Sequence, residues 1–347
     1  MKKLIESFVP QGGKHCITNS LKQIFTYYGY PMSEEMLFGL ASSISFLYLN
    51  QSASPMINGR TKIFEFENKL AKRLNIEIKC KSGNNYSKIF DSTKHLVDTN
   101  NPVLIYVDMP YMKYLGMNQN NHFGGHAVVL FGYDETSRKF WISDRDNHDY
   151  PIQIPSGQIS QDYHMVDYDE IEKARSSVYR PFPANNKYLI FDFTGFRVID
   201  KVILQEAIKE TCDTMLEPPA QLLGINGIMK FSKEILKWKQ FSSDKLRLAG
   251  ITNYFQISKD GGTGGGIFRK MYGEFLIESA PIIKDGRLFV IGQKFIDVSE
   301  HWNEIANDMW ELSQTANVEL LKKMSNSISQ IYDDEKNLYL SLKTTVD

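Results

Sequence analysis

The chain has 347 residues, 42% hydrophobic and 23% charged, an ordinary globular composition at a length that suggests two domains. Forty basic against forty-one acidic side chains leave a formal charge of -1, which excludes a global electrostatic footprint for nucleic acid or an anionic membrane surface. The opening MKKLIESFVPQGG falls short of the apolar core of a signal peptide, and no run reaches the roughly 18 apolar residues of a membrane helix, so a soluble, cytoplasmic protein is expected. Cys16, Cys80 and Cys212 are odd in number and lack CxxC pairing, which argues for free thiols over a disulfide framework or a cysteine zinc site.

In chain order, the spacing of Ile17, Leu21, Ile24, Phe25 and Tyr28 predicts an amphipathic helix that Gly29 and Pro31 end, and a shorter helix opens at Ser33. Residues 63–75 again have helical period. PVLIYVDM (102–109), HAVVLFGYD (126–134) and KFWISDRD (139–146) read as strands, the last two joined by a turn at ETSR. Residues 150–187, with prolines, a Ser/Gln/Asp-rich stretch and one short helix, DEIEKARSS, form the expected boundary. A second domain is expected from about Tyr188, with strand material in YLIFDF and FRVI and then helices in LQEAIKETCDTML, IMKFSKEILKWKQF, IFRKMYGEFLIESA and the tail from His301 to Leu342. Helix first and antiparallel strands later give an α+β fold, divided into residues 1–180 and a mainly helical 181–347.

Cys16 stands at the start of the first helix, where unpaired N–H groups and the positive end of the helix dipole favour a thiolate. Gly12 and Gly13 would let a substrate approach the main chain, the Cys16 amide offers one hydrogen bond to a developing oxyanion, and the Gln11 side chain offers another. Position alone leaves Cys16 divided between nucleophile and buried filler. His126 opens an apolar strand after a Gly-Gly pair and is placed as a base. Asp144 follows 18 residues later, so an even pairing sum in the hairpin sets both side chains on one face, provided that no bulge intervenes. Asp146 has the same parity and is the rival acid, and His122 in the preceding loop is a rival histidine. His15 and His148 match no metal-site spacing, and no metal is expected. An early helix-capping cysteine, a later strand-starting histidine and an acid on the next strand form the combination that a thiolate–imidazole pair needs.

This arrangement resembles papain-like cysteine enzymes. More narrowly, HC at 15–16, YYGYPMSEEMLFGL, PVLIYVDMPYMKY, HFGGHAVVLFGYD and SDRD resemble the N-terminal domain of the BtrH-type acyltransferases of butirosin biosynthesis. YLIFDF, PPAQLLGINGI and GGTGGGIFRKMYGEFL resemble the uncharacterised domain that accompanies it, so the likeness spans nearly the whole chain. It implies transfer of an acyl group, a γ-glutamylated amino-hydroxybutyryl unit, from an acyl carrier protein thioester to an amine of an aminoglycoside. No cofactor of the enzyme's own is implied, since the donor carries phosphopantetheine on its carrier protein. By the same resemblance Cys16 is the nucleophile, His126 the general base and acid, and Asp144 the orienting carboxylate. One departure is that the glutamine of papain-like enzymes lies six positions before the cysteine, whereas Gln11 lies five before Cys16.

The competing functions are a cysteine peptidase or amidase using the same triad, and a non-catalytic binding or immunity protein on the same shell. GGTGGG before Arg269 is either an anion cradle or, as the reading favoured here, a loop that packs closely. Lys233, Lys237, Lys239, Lys245 and Arg247 are a docking face for an acidic carrier or a solvated surface. Asn58, Gly59 and Arg60 are candidate acyl or acceptor contacts. Trp302, Trp310 and the apolar stripe of the tail are core or a subunit interface of a homo-oligomer.

Overall fold

The computed structural model describes residues 1–51, 53–118, 122–145 and 163–346. In chain order the described elements are β1 (Lys2–Leu4), α1 (Cys16–Tyr27), α2 (Glu34–Leu40), β2 (Ile44–Asn50), β3 (Pro55–Arg60), α3 (Glu65–Leu74), β4 (Glu77–Lys81), α4 (Tyr86–Asp98) and β5 (Val103–Val107). After two 3-10 turns come β6 (His126–Asp134), β7 (Lys139–Ser143), β8 (His164–Asp167), α5 (Tyr168–Ser176) and β9 (Tyr188–Asp192). The rest is helical: α6 (Lys201–Leu216), α7 (Gly224–Glu234), α8 (Ser243–Ile257), α9 (Arg269–Ile283), α10 (Gly286–Thr315) and α11 (Glu319–Val346). The chain is α+β, with an antiparallel sheet and a helical C-terminal region.

Two compact units are present, one of residues 1–37 and 74–197, the other of 38–73 and 198–347. The first is built on an antiparallel sheet of order β4-β9-β5-β6-β7-β8, with β1 added to β6. β5 is buried at every position and β6 at all but its last, as strands covered on both faces require. Helices α1, α4 and α5 supply the cover. YLIFDF therefore does not open a second domain: as β9 it pairs with both β4 and β5, inside the first sheet. FRVI is not a strand, and the Arg197 amide donates instead to the Leu74 carbonyl. A short apolar run carries no label of the sheet it joins, which only pairing decides.

In the second unit the β2–β3 hairpin packs against α7 and α8, so residues 38–73 belong with the C-terminal helices and not with the sheet on either side of them in sequence. Asn253 of α8 fastens the hairpin, accepting from the Ile57 amide and donating to the Pro55 carbonyl. The GGTGGG segment is a close-packed turn. A Cβ on Gly266 would lie 2.4 Å from the Ser299 carbonyl oxygen, and the Gly266 amide donates to Asn303. Arg269 is fully buried and pairs through Nε and Nη2 with the two carboxylate oxygens of Glu335, both at 2.9 Å, while Trp302 Nε1 donates to the same carboxylate at 2.8 Å. Its charge is thus consumed internally, which removes it from an anion cradle. The tail is two helices, broken at Ala316, which is left-handed at φ 56°. Among the described residues no helix is long and apolar enough to cross a membrane.

Candidate active site

Helix α1 starts at Cys16 with His15 in an extended N-cap conformation and no side-chain cap of its own. The amides ahead of it would be orphans in a buried loop. Glu34, from the start of α2 and only 4% exposed, takes them: its Oε1 accepts from the Lys14 amide at 2.8 Å, and its Oε2 from the His15 amide at 3.1 Å and the Thr18 hydroxyl at 2.6 Å. Burial pushes the Glu34 pKa up, against the opposing pull of these hydrogen bonds. The approach is so close that a Cβ on Gly13 would lie 2.3 Å from Glu34 Oε1. Gly13 is therefore required for packing, and its amide donates to the Arg145 carbonyl, so that amide is not free for an oxyanion.

His126 is the first residue of β6 and the register partner of Val107 in β5. Its Nε2 lies 2.7 Å from Oδ2 of Asp144, with the imidazole 2% exposed and the carboxylate fully buried. Cys16 acts on the same ring from the start of α1, favouring its charged form. With Nε2 facing the acid, Nδ1 is the nitrogen left for sulfur. Asp144 is held further by the Tyr114 hydroxyl at 2.6 Å on Oδ2 and by the Arg145 amide at 2.6 Å on Oδ1. His164 stacks on the Tyr114 ring at 3.8 Å.

Burial alone would lower the His126 pKa. The charge and hydrogen bond of Asp144 more than offset it, Cys16 acts in the same direction, and the net shift is upward. For Asp144 burial acts upward, and the charge and hydrogen bond of His126, with Tyr114 and His164, bring it below the ordinary carboxylate range. The site thus favours a charged imidazolium between two anions, one of them permanent and the other available when the thiol ionises.

The remaining expected residues fall elsewhere. Gln11 is exposed, with its backbone tied to α1 by its amide on Gln23 Oε1 and its carbonyl on Asn19 Nδ2, both at 3.0 Å. His122 pairs with Asp108, not with Asp144, through Nδ1 to Oδ2 at 2.8 Å. Arg60 belongs to β3 of the second unit and donates to the Thr61 carbonyl. In that unit too, Arg247 donates to the Ser313 carbonyl at 3.1 Å and Lys237 pairs with Glu234 at 2.7 Å. Asp146 and His148 lie outside the described residues. Sequence reasoning missed Glu34, Tyr114 and Asp108. Glu34 had a signal, an acid in the first turn of a helix, but none of the three has a spacing that ties it to Cys16 or His126.

No curated protein matches the chain. Two family profiles match it in tandem: Butirosin biosynthesis protein H, N-terminal, over residues 15–145, and a domain of unknown function (DUF4872) over 169–342. The first match runs from His15, next to the helix-capping cysteine, to Arg145, next to the buried acid. The second alone covers about half of the chain. With both domains in this order, the chain belongs to the family of butirosin biosynthesis protein H, a family named for the making of an antibiotic.

Proposed function

We propose that this chain is a cysteine-dependent acyltransferase that moves an aminoacyl-type group from an acyl carrier protein thioester to an amine of a small molecule such as an aminoglycoside. The γ-glutamylated amino-hydroxybutyryl group is the leading candidate for the acyl unit, and the first unit serves as a papain-like catalytic domain. One observation carries the reading: a buried imidazole fixed by the Asp144 carboxylate at 2.7 Å and acted on by Cys16 at the start of α1.

In the first half-reaction the Cys16 thiolate attacks the thioester carbonyl. A C–S bond to the enzyme forms, the C–S bond to the carrier's phosphopantetheine arm breaks, and the departing thiolate takes the proton of the His126 imidazolium. In the second the acceptor amine attacks the acyl-enzyme, the C–N bond forms as the Cys16 C–S bond breaks, and His126 takes a proton from nitrogen. That restores the thiolate–imidazolium pair. The Cys16 amide and the Gln11 side chain are the proposed oxyanion donors, and no cofactor of the protein's own is required. Asp144 keeps the ring oriented and its charge compensated throughout.

The test is intact-protein mass spectrometry after exposure to an S-acyl pantetheine thioester. An acyl adduct is expected on the native chain and none on Cys16→Ala; an adduct that survives in the variant sinks the proposal. Addition of an amine should then release an amide. Release of free acid alone, with or without amine, assigns the same triad to a peptidase or amidase.

A further inference from the structure

A second histidine–carboxylate pair lies one strand residue from the first. Asp108 follows Val107, the register partner of His126, and is fully buried. Its Oδ1 accepts from the Phe123 amide at 2.7 Å, and its Oδ2 accepts from the Ser177 hydroxyl at 2.5 Å and meets His122 Nδ1 at 2.8 Å. A carboxylate so placed fixes the His122 tautomer with its proton on Nδ1 and a lone pair on Nε2. One face of the ring is covered by Tyr179, stacked at 3.4 Å and 5°, and the Tyr111 ring stands at 5.8 Å, tilted by 45°. The side chain keeps 16% exposure, so the ring reaches solvent while its anchor does not. Gly124 holds the loop down: a Cβ there would lie 2.4 Å from the Ala184 amide nitrogen.

The proposed reaction has a proton that His126 does not take. An alkyl amine enters as an ammonium ion at neutral pH and has no lone pair to attack with. His126, neutral in the acyl-enzyme, accepts one proton when the C–N bond forms, and that proton restores the thiolate–imidazolium pair, so it has no capacity for the extra proton of an ammonium. A second base beside the site raises the fraction of amine that arrives neutral.

We infer that His122, fixed by Asp108, stacked on Tyr179 and beside the Tyr111 ring, receives the acceptor's ammonium and takes its proton before attack. Aromatic faces attract an ammonium ion, and a fixed imidazole lone pair beside them accepts its proton. The proton passes to solvent from the exposed ring, so the amine arrives neutral at the acyl-enzyme. The inference rests on the acyl-enzyme reading above.

The experiment follows decay of the Cys16 acyl adduct in His122→Gln with two nucleophiles: 1,4-diaminobutane, protonated at neutral pH, and hydroxylamine, which is not. Adduct formation and decay with hydroxylamine should match the native chain, which also shows that the variant is folded. Decay with the diamine should fall by roughly a hundredfold and recover as pH rises toward the diamine's own pKa. Equal loss with both nucleophiles, no loss with either, or loss with the diamine that pH does not rescue overturns the inference. Failure of the native chain to form any adduct instead overturns the acyltransferase reading beneath it.

Discussion

His126 Nε2 and Asp144 Oδ2 meet at 2.7 Å across a hairpin whose strands are out of step by one residue. Near the turn the pairs are Asp134 with Lys139, Tyr133 with Phe140 and Gly132 with Trp141. Continued without interruption, that register would set Asp144 opposite Val129, on the face away from His126. A bulge at Phe131 absorbs one residue of β6, so Leu130 pairs with Ile142 and Val129 with Ser143. Continued one step past the end of β7, this register points Asp144 to the position opposite Val128, which shares a face with His126. The bulge that would have broken the expected geometry is what produces it.

Asp144→Asn should slow alkylation of Cys16 by iodoacetamide at neutral pH by at least about tenfold and move the reaction's midpoint upward in pH. With the carboxylate gone, burial acts on His126 without opposition and lowers its pKa, so the ring no longer stabilises the thiolate. Peptide mapping in a Cys80→Ser background makes the measurement, because Cys80 is exposed and reacts on its own account. An unchanged rate would show that the thiolate does not depend on the pair.

The same pair gives stability a defined pH window. The His126 pKa is raised in the folded state, so its contribution is full below the unfolded imidazole's value of about 6.5 and is lost as pH rises through the folded one. The Asp144 pKa is lowered, so the contribution is present above the unfolded carboxylate's value of about 3.9 and is lost as pH falls through the folded one. Thermal unfolding of the native chain and Asp144→Asn should therefore differ most between about pH 4 and 6.5. The difference should narrow on both sides.

Gly13→Ala places a methyl group 2.3 Å from Glu34 Oε1 and 2.4 Å from Asn19 Oδ1. The expected cost is about 1–3 kcal/mol by denaturant unfolding, with slower Cys16 alkylation because the loop before the helix must shift. Normal stability with normal reactivity would mean that the loop yields without disturbing the thiol.

Arg269→Met leaves the Glu335 charge buried beside Trp302 and should cost about 3–5 kcal/mol. Adding Glu335→Gln removes the stranded charge and keeps an acceptor for the indole, so the double variant should unfold at higher denaturant than the single one. Additive losses would show that the two side chains are not coupled.

Residue types and periodicity made the helix that Cys16 starts legible, along with the strand that His126 opens and the hairpin to β7, because these elements are written in local spacing. The family likeness was likewise carried by words in order along the chain. What local pattern does not hold is which face, which partner and which sheet. Phe131 has no mark that makes it a bulge residue, and YLIFDF has none that puts it between β4 and β5. Residues 38–73 form a hairpin and helix that join elements more than a hundred residues away, and no local spacing records that. Glu34, Tyr114 and Asp108 act through hydrogen bonds that exist only once separate segments are packed. The sequence by itself determined which groups could do chemistry; the tertiary structure decided that Cys16, His126 and Asp144 share one buried site, and that His122 belongs to another.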